Sequence, residues 1–187
     1  MENKLKTELL LRLSAALILV LAAMLIRTNS ETKLIYGMYE NTAKSKDLRA
    51  FVISEYVFLA AASYSFLHTI RCFFSSSAKG FTEPKSTVSV NFLPWLSLVL
   101  DQVTAYLVFA SNIAAAAGAA MAITGSDSLQ WIKLCNIYTR FCYQAGGHIG
   151  CGAVASLLLA IVAGLSAFNV FSFYSPKHFL AMKRLLK

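Results

Sequence analysis

Four long apolar stretches dominate this chain of 187 residues and leave few folds open to it. They cover residues 9–26, 51–70, 94–123 and 149–174. Each has about the twenty residues that a helix needs to cross roughly 30 Å of bilayer hydrocarbon. The composition agrees, because 57% of the residues are hydrophobic, only 14% are charged and the mean hydropathy is +0.60, far from the balance of a soluble protein. We therefore predict an all-α membrane protein whose single domain, residues 1–187, is a four-transmembrane-helix bundle.

The even number of spans puts both termini on one side of the membrane, with external loops at residues 28–47 and 124–147. Basic residues indicate the side, because Lys and Arg are in excess in short cytoplasmic segments. That excess is slight here, but the two terminal segments carry Lys4, Lys6, Lys177, Lys183, Arg184 and Lys187. We predict cytoplasmic termini, and we expect the net charge of +8 to favour anionic membrane lipids as partners.

A cleaved secretory signal is the alternative interpretation of the first span, since Lys4 and Lys6 resemble the basic start of such a signal. A signal ends in small residues at its cleavage site, whereas Met24, Ile26 and Arg27 stand at the end of this stretch. The apolar run is also longer than a typical signal core. We predict a retained first helix.

Two charged residues, Arg12 and Asp101, lie inside the first and third spans. An ionisable side chain at bilayer depth costs at least roughly 2.5–3.5 kcal/mol, so it usually pairs inside the bundle. From the same membrane face, Arg12 is roughly 5 Å deep and Asp101 roughly 8 Å deep at 1.5 Å per residue. The sequence therefore predicts a structural ion pair, in which the Arg fork holds the carboxylate through two hydrogen bonds. The alternatives are an Arg12 side chain that reaches back to the headgroups and a protonated Asp101.

Small residues recur at intervals of four in the last two spans, where close backbone approach drives helix association in lipid. The third span carries Ala110, Ala114, Gly118 and Ala122, and the fourth carries Gly152, Ser156, Ala160 and Gly164. Such stripes suit helix packing within one chain and also dimerisation. The first of these interpretations is the one we favour.

A thin polar face runs along the third span from Asp101 through Thr104 and Val108 to Ser111 and Asn112. A small transporter or channel subunit that uses this seam is the alternative function. Four helices leave little room for a pore, and the sequence shows no inverted repeat with interrupted helices. A satisfied structural seam is therefore the favoured interpretation.

The four cysteines are separated by topology, with Cys72 near the cytoplasmic end of the second span and the others at the outer side. Cys135 and Cys142 are a possible disulfide in an oxidising compartment, with Cys151 as an alternative partner for either and free thiols as the other possibility. A thiol oxidoreductase is disfavoured because no C-x-x-C pair occurs. We expect no catalytic residues, metal or cofactor, and no nucleic acid partner, since no basic stripe lies on a soluble face.

The order of the spans, with Arg12 in the first and Asp101 in the third, resembles the plant Casparian strip membrane domain proteins. The run from Cys135 to Cys142, followed by a Gly-rich entry into a small-residue fourth span, resembles the CASP-like branch of that family. The resemblance implies a four-helix plasma-membrane protein with cytosolic termini, related to the MARVEL proteins. It also implies a non-enzymatic scaffold that self-associates, as a homodimer or larger assembly, and joins related four-helix proteins to organise membrane subdomains or cell-wall-modifying machinery.

One segment departs from the pattern of the strip-forming members, which carry a short Phe-rich signature in the first external loop. Residues 31–40 of this chain contain no such run. The resemblance therefore places the chain among the CASP-like proteins, and leaves open whether it forms a diffusion barrier.

Overall fold

The computed structural model describes residues 2–35, 39–44, 48–77, 92–125, 135 and 138–173. Four long helices make up most of this part of the chain. They are α1 (Glu2–Arg27), α2 (Arg49–Ser77), α3 (Phe92–Thr124) and α4 (Thr139–Phe173), and a hairpin of β1 (Ser30–Ile35) and β2 (Tyr39–Lys44) lies between α1 and α2. All four helices contain a segment long and apolar enough to cross a membrane. The prediction of an all-α membrane protein with four transmembrane helices is confirmed.

The helices form a square in which α1 packs on α2 and α4, and α3 packs on the same two neighbours. The pairs α1–α3 and α2–α4 are therefore the diagonals. Arg12, in the first half of α1, meets Asp101 in the first third of α3 and Ser166 in the last quarter of α4. Ala22 toward the end of α1 and Ser54 near the start of α2 both meet His148, so consecutive helices run in opposite directions. We call the end of the bundle where α1 begins and α4 ends the termini end, and the opposite end the hairpin end.

The buried faces follow a repeat of alternating three-residue and four-residue steps, which is typical of left-handed helix bundles. On α1 and α2 the buried positions include Arg12, Ala15, Leu19, Ala22, Ile26, Phe51, Ser54, Phe58, Ala61 and Ser65. On α3 and α4 they include Asp101, Ala105, Val108, Asn112, Ala115, Ala122, Phe141, Ala145, His148, Ala155, Leu159 and Val162. Large apolar side chains such as Leu17, Tyr106 and Leu157 are exposed on the outside, as expected for surfaces that face lipid.

The segment predicted as an external loop over residues 28–47 contains a regular β-hairpin. Its two strands are antiparallel, with Ser30 opposite Lys44 and Ile35 opposite Tyr39. A two-stranded hairpin is marginally stable by itself. Its short polar strands also lack the long apolar pattern by which the helices were predicted. Contacts with α4, described below, hold the base of this hairpin in place.

The fourth helix begins at Thr139, ten residues before the predicted start of the fourth span. The predicted external loop of residues 124–147 is therefore wrong over residues 139–147. Gln144, Gly146 and Gly147 lower the hydrophobicity of this stretch, which hides the helix from a span search based on apolar length. Burial of Phe141 and Ala145 against Phe51 stabilises these early turns. Residues 126–134, 136 and 137 of the predicted loop lie outside the described residues.

Candidate functional site

An ion pair joins the diagonal helices α1 and α3 near the termini end. The guanidinium of Arg12 donates through Nη1 to Oδ1 of Asp101 at 2.7 Å and through Nη2 to Oδ2 at 2.5 Å. Arg12 is 1% exposed and Asp101 is 4% exposed. This is the two-bonded Arg–carboxylate geometry, which fixes direction as well as charge and which a Lys cannot reproduce.

Three further side chains complete this ionic cluster, and sequence reasoning missed all of them. Glu8, one helical turn before Arg12, accepts from Nε at 3.3 Å and from Nη2 at 3.1 Å. The hydroxyls of Tyr64 on α2 and Ser166 on α4 donate to Asp101 at 2.9 and 2.8 Å. All four helices therefore supply a group to the cluster. The i,i+4 spacing of Glu8 and Arg12 was a usable signal, whereas the approach of Tyr64 and Ser166 depends on helix rotation.

A second polar cluster surrounds His148, which is fully buried near the hairpin end. Its Nδ1 lies 2.9 Å from the carbonyl oxygen of Ala22 on α1, and its Nε2 lies 2.9 Å from Oγ of Ser54 on α2. Because a carbonyl only accepts, the ring donates from Nδ1. The ring also stacks on Phe58, with 4.9 Å between ring centroids. His148 thus joins α4 to its diagonal partner α2 and to α1.

The two clusters are separated by an apolar layer. The cluster members on α1, Arg12 and Ala22, are 10 positions apart, which is about 15 Å at 1.5 Å per residue, and those on α4, His148 and Ser166, are 18 positions apart, which is about 27 Å. The buried residues Leu19, Phe58, Val108 and Leu159 are part of the cluster that fills the middle of the bundle.

The polar face predicted along α3 does not bridge that layer. Thr104 and Ser111 donate to the carbonyls of Leu100 and Val108 on their own helix. The buried Oδ1 of Asn112 has no hydrogen-bond partner among the described residues.

The small-residue stripes leave the interior part-way along each helix. Ala122, Gly152 and Ser156 are buried and Gly118 is half-buried, but Ala110, Ala114, Ala160 and Gly164 are exposed. The interpretation as packing within one chain is therefore wrong for these four residues. A step of four residues turns 40° beyond a full circle at 100° per residue, so a stripe with that interval drifts away from the buried face. Alternating steps of three and four residues stay closer to the buried face of each helix.

The structure joins Cys135 and Cys142 in a disulfide with 5.6 Å between their Cα atoms. Cys72 and Cys151 are free and half-buried. The disulfide attaches residue 135 to the first turn of α4. Cys151, the alternative partner that the sequence left open, is therefore joined to neither Cys135 nor Cys142.

The β-hairpin is attached to the same turn of α4. A carboxylate oxygen of Glu31 accepts the backbone N–H of Phe141 at 2.9 Å, and Nδ2 of Asn29 donates to the carbonyl oxygen of Phe141 at 3.0 Å. Among the described residues, no group of three or more His, Cys, Asp or Glu side chains is arranged to hold a metal ion.

Together these features define a four-span membrane protein whose helices are tied across their diagonals by one ionic and one imidazole-centred cluster. The sequence matches the Casparian strip membrane protein domain over residues 2–158. The chain belongs to this family, as its resemblance to the CASP-like branch predicted.

Named relatives extend the match along nearly the whole chain. CASP-like protein XL3 of Gossypium hirsutum is 46% identical over 178 residues, which cover 95% of this chain and 96% of that protein. CASP-like protein 2C1 of Populus trichocarpa is 43% identical with the same coverage, and CASP-like protein 2C1 of Arabidopsis thaliana is 35% identical over 95% of each chain. No solved structure matches the chain.

Proposed function

We propose that this protein is a non-enzymatic scaffold of the plasma membrane, with both termini in the cytoplasm. It associates with copies of itself and with related four-helix proteins, and so organises membrane subdomains or cell-wall-modifying machinery. One observation carries the proposal: the charges inside the bundle pair with each other, while small residues lie exposed on its outer faces. The paired charges make the bundle rigid, and the exposed small residues allow another helix to approach closely.

The exposed small residues support lateral assembly because helices in lipid associate through close backbone approach. Ala110 and Ala114 on α3 and Ala160 and Gly164 on α4 are exposed in a single chain. A second four-helix protein with a similar face can pack closely against these residues. The van der Waals contact between the two proteins is then better than the contact of either protein with lipid tails. The ion pair and the His148 cluster hold these outer faces in a fixed orientation.

The interior gives transport little support. Asp101, the start of the polar face, is held by Arg12, Tyr64 and Ser166. Beyond it, Leu19, Phe58 and Val108 close the middle of the bundle. A flux assay with the purified protein in liposomes separates the two functions, since a scaffold adds no ion or solute leak above that of empty liposomes.

An enzymatic role also lacks support. The family description names a membrane protein domain and the relatives are named as CASP-like proteins, and none of these names describes a catalytic activity. Cys135 and Cys142 are seven positions apart and already joined to each other. This spacing differs from the adjacent C-x-x-C pair of thiol oxidoreductases.

Self-association is tested by counting photobleaching steps of the full-length, fluorescently tagged protein in native-lipid discs. The wild-type chain should show two or more copies per disc. Ala114→Leu and Ala160→Leu add bulk to the exposed small-residue faces and should reduce the fraction of multi-copy discs. Single copies of the wild-type protein at all concentrations would overturn the proposal.

Ala120→Leu is the matched control for Ala114→Leu. Ala120 is exposed on the same helix, and six positions place it about 120° around the helix axis from Ala114. The same increase in side-chain volume should leave assembly unchanged there. Equal losses for both variants would show that the effect is not specific to the small-residue face.

A further inference from the structure

A cavity of about 250 Å³ lies between α2 and α3 at the termini end, beside the ionic cluster. Cys72, His68 and Arg71 line it from α2, and Leu96, Ser97 and Leu100 line it from α3. Leu96 and Leu100 are each 41% exposed, so the α3 side of the cavity continues into the lipid-facing surface. The cavity therefore has polar side chains on its α2 side and opens past Leu96 and Leu100 toward lipid.

The polar wall contains a nucleophile, a base and a group that orients the base. Sγ of Cys72 lies 3.6 Å from Nδ1 of His68, and Nε2 of the same ring lies 2.9 Å from Oγ of Ser97. A thiol that donates to Nδ1 transfers its proton there when the sulfur attacks an electrophile. Ser97 on the neighbouring helix holds the imidazole in position for that transfer.

The thiol also lies at the depth where hydrocarbon meets the headgroups. Cys72 is the last residue of the α2 segment that is apolar enough to span a membrane, and Arg71 beside it is exposed. A thioester at this depth places its polar carbonyl near the interface and its hydrocarbon tail in the bilayer. Cysteines at such juxtamembrane positions are typical acceptors of long acyl chains.

We propose that Cys72 is a site of S-acylation, with a long-chain acyl thioester such as an acyl-CoA as the donor. The sulfur of Cys72 attacks the thioester carbonyl, and His68 takes the thiol proton. The bond from the carbonyl carbon to the CoA sulfur breaks, the acyl group remains on Cys72, and the proton leaves with the CoA thiol. The acyl chain then extends past Leu96 and Leu100 into the leaflet.

The other cysteines provide the internal comparison. Cys135 and Cys142 are joined to each other. Cys151 is free and equally half-buried, but it lies on α4 toward the hairpin end and packs against the apolar core. Cys72, by contrast, lines a cavity together with the imidazole of His68.

The test measures hydroxylamine-dependent mass tagging of the full-length protein made in plant cells. The wild-type chain and Cys151→Ser should each gain one tag, and Cys72→Ser should gain none. Absence of a tag on the wild-type chain, or a tag that persists on Cys72→Ser, overturns the proposal. Monodisperse elution of Cys72→Ser in detergent shows that the variant is folded.

A second arm identifies the source of the acyl group and the part played by His68. Purified wild-type protein in lipid discs is incubated with palmitoyl-CoA alone, and it should become tagged. His68→Gln should react about a hundredfold more slowly, which is the lower end of the range for a general base. The purified wild-type chain could fail to react although the chain made in cells is tagged. That result would overturn the role of His68 as proton acceptor and would assign the transfer to a membrane acyltransferase.

This inference takes from the proposed function only that the termini end faces the cytoplasm, where acyl-CoA is present. A pH-sensitive fluorescent reporter fused after Lys187 tests that orientation separately. An external reporter would overturn the topology, whereas a cytoplasmic reporter on an untagged wild-type chain would overturn the acylation alone.

Discussion

The carboxamide of Asn112 on α3 occupies the space into which a side chain at Gly152 on α4 would project. A Cβ placed on Gly152 lies 2.7 Å from Cζ of Phe58 and closer still to Oδ1 of Asn112. Overpacking costs about 1–3 kcal/mol, against a gain of about 1 kcal/mol for Ala over Gly in a helix. Gly152→Ala should therefore lower the thermal midpoint, measured as the monodisperse fraction that survives heating in detergent.

Gly150→Ala is the control two positions away, because a Cβ there meets nothing within 4 Å. Its midpoint should equal or exceed that of the wild-type protein. Asn112→Ala removes an oxygen that lacks a partner among the described residues, so the double variant Asn112→Ala/Gly152→Ala should recover part of the loss. Equal midpoints for Gly150→Ala and Gly152→Ala would contradict this account of the contact.

The sequence was sufficient to predict the features of this fold that depend on the length of the apolar stretches and on the depth of charged residues within them. The four apolar stretches predict the four helices, and the similar depths of Arg12 and Asp101 predict that the two side chains can meet. The rotation of each helix about its axis was not predictable in the same way. It decides that Tyr64 and Ser166 reach Asp101, and that Ala114 and Ala160 face outward.

The importance of His148 was also hidden, although one signal for it exists. His148 lies on the same heptad face as Phe141, Ala145 and Ala155, which places it in the interior once that spacing is recognised. Its partners were beyond prediction, because Ala22 contributes a backbone carbonyl. The hairpin could not be predicted either, since its stability comes from contacts with α4 that are distant in sequence.

The ion pair predicts a large effect for a change at Asp101. Asp101→Ala leaves the guanidinium of Arg12 buried with Glu8 as its remaining acidic partner, and removal of one partner from a buried pair costs about 3–5 kcal/mol. We expect little monodisperse protein at the membrane, measured by fluorescence-detected size exclusion. Arg12→Lys should be milder, because the charge remains while the two-bonded fork is lost.

A charge exchange separates pairing from simple damage to the fold. Arg12→Asp/Asp101→Arg restores opposite charges across the diagonal but places an aspartate one turn from Glu8. The exchange should therefore be made with Glu8→Gln, which removes that new repulsion. The triple variant should give more monodisperse protein than Arg12→Asp or Asp101→Arg in the same background, and a yield no better than either would contradict the pairing.

Ser54 is predicted to stabilise the bundle through His148. Ser54→Ala leaves Nε2 of the buried imidazole without its 2.9 Å contact, and an unsatisfied buried polar group costs about 1–3 kcal/mol. Ser63→Ala is the matched control, because Ser63 lies on the same helix, is exposed and donates to the carbonyl of Ala60. Its midpoint should stay near that of the wild-type protein. Equal midpoints for the two variants would show that the imidazole contact contributes no stability.

Glu31 is predicted to hold the first turn of α4 from outside the helix. Its carboxylate accepts the N–H of Phe141, the third residue of α4, which has no acceptor within its own helix. A negative charge is also favoured at a helix N-terminus. Loss of such a cap costs about 0.5–2 kcal/mol, so Glu31→Ala should fray this turn.

Trypsin provides a direct measurement of that fraying. The bond after the exposed Arg140 contains the nitrogen whose N–H Glu31 holds, so its cleavage requires this turn to open. Mass spectrometry after reduction should detect the peptide that begins at Phe141 earlier for Glu31→Ala than for the wild-type protein. Glu31→Gln keeps an oxygen acceptor and should fall between the two. Identical cleavage rates for all three proteins would show that the carboxylate of Glu31 does not stabilise the start of α4.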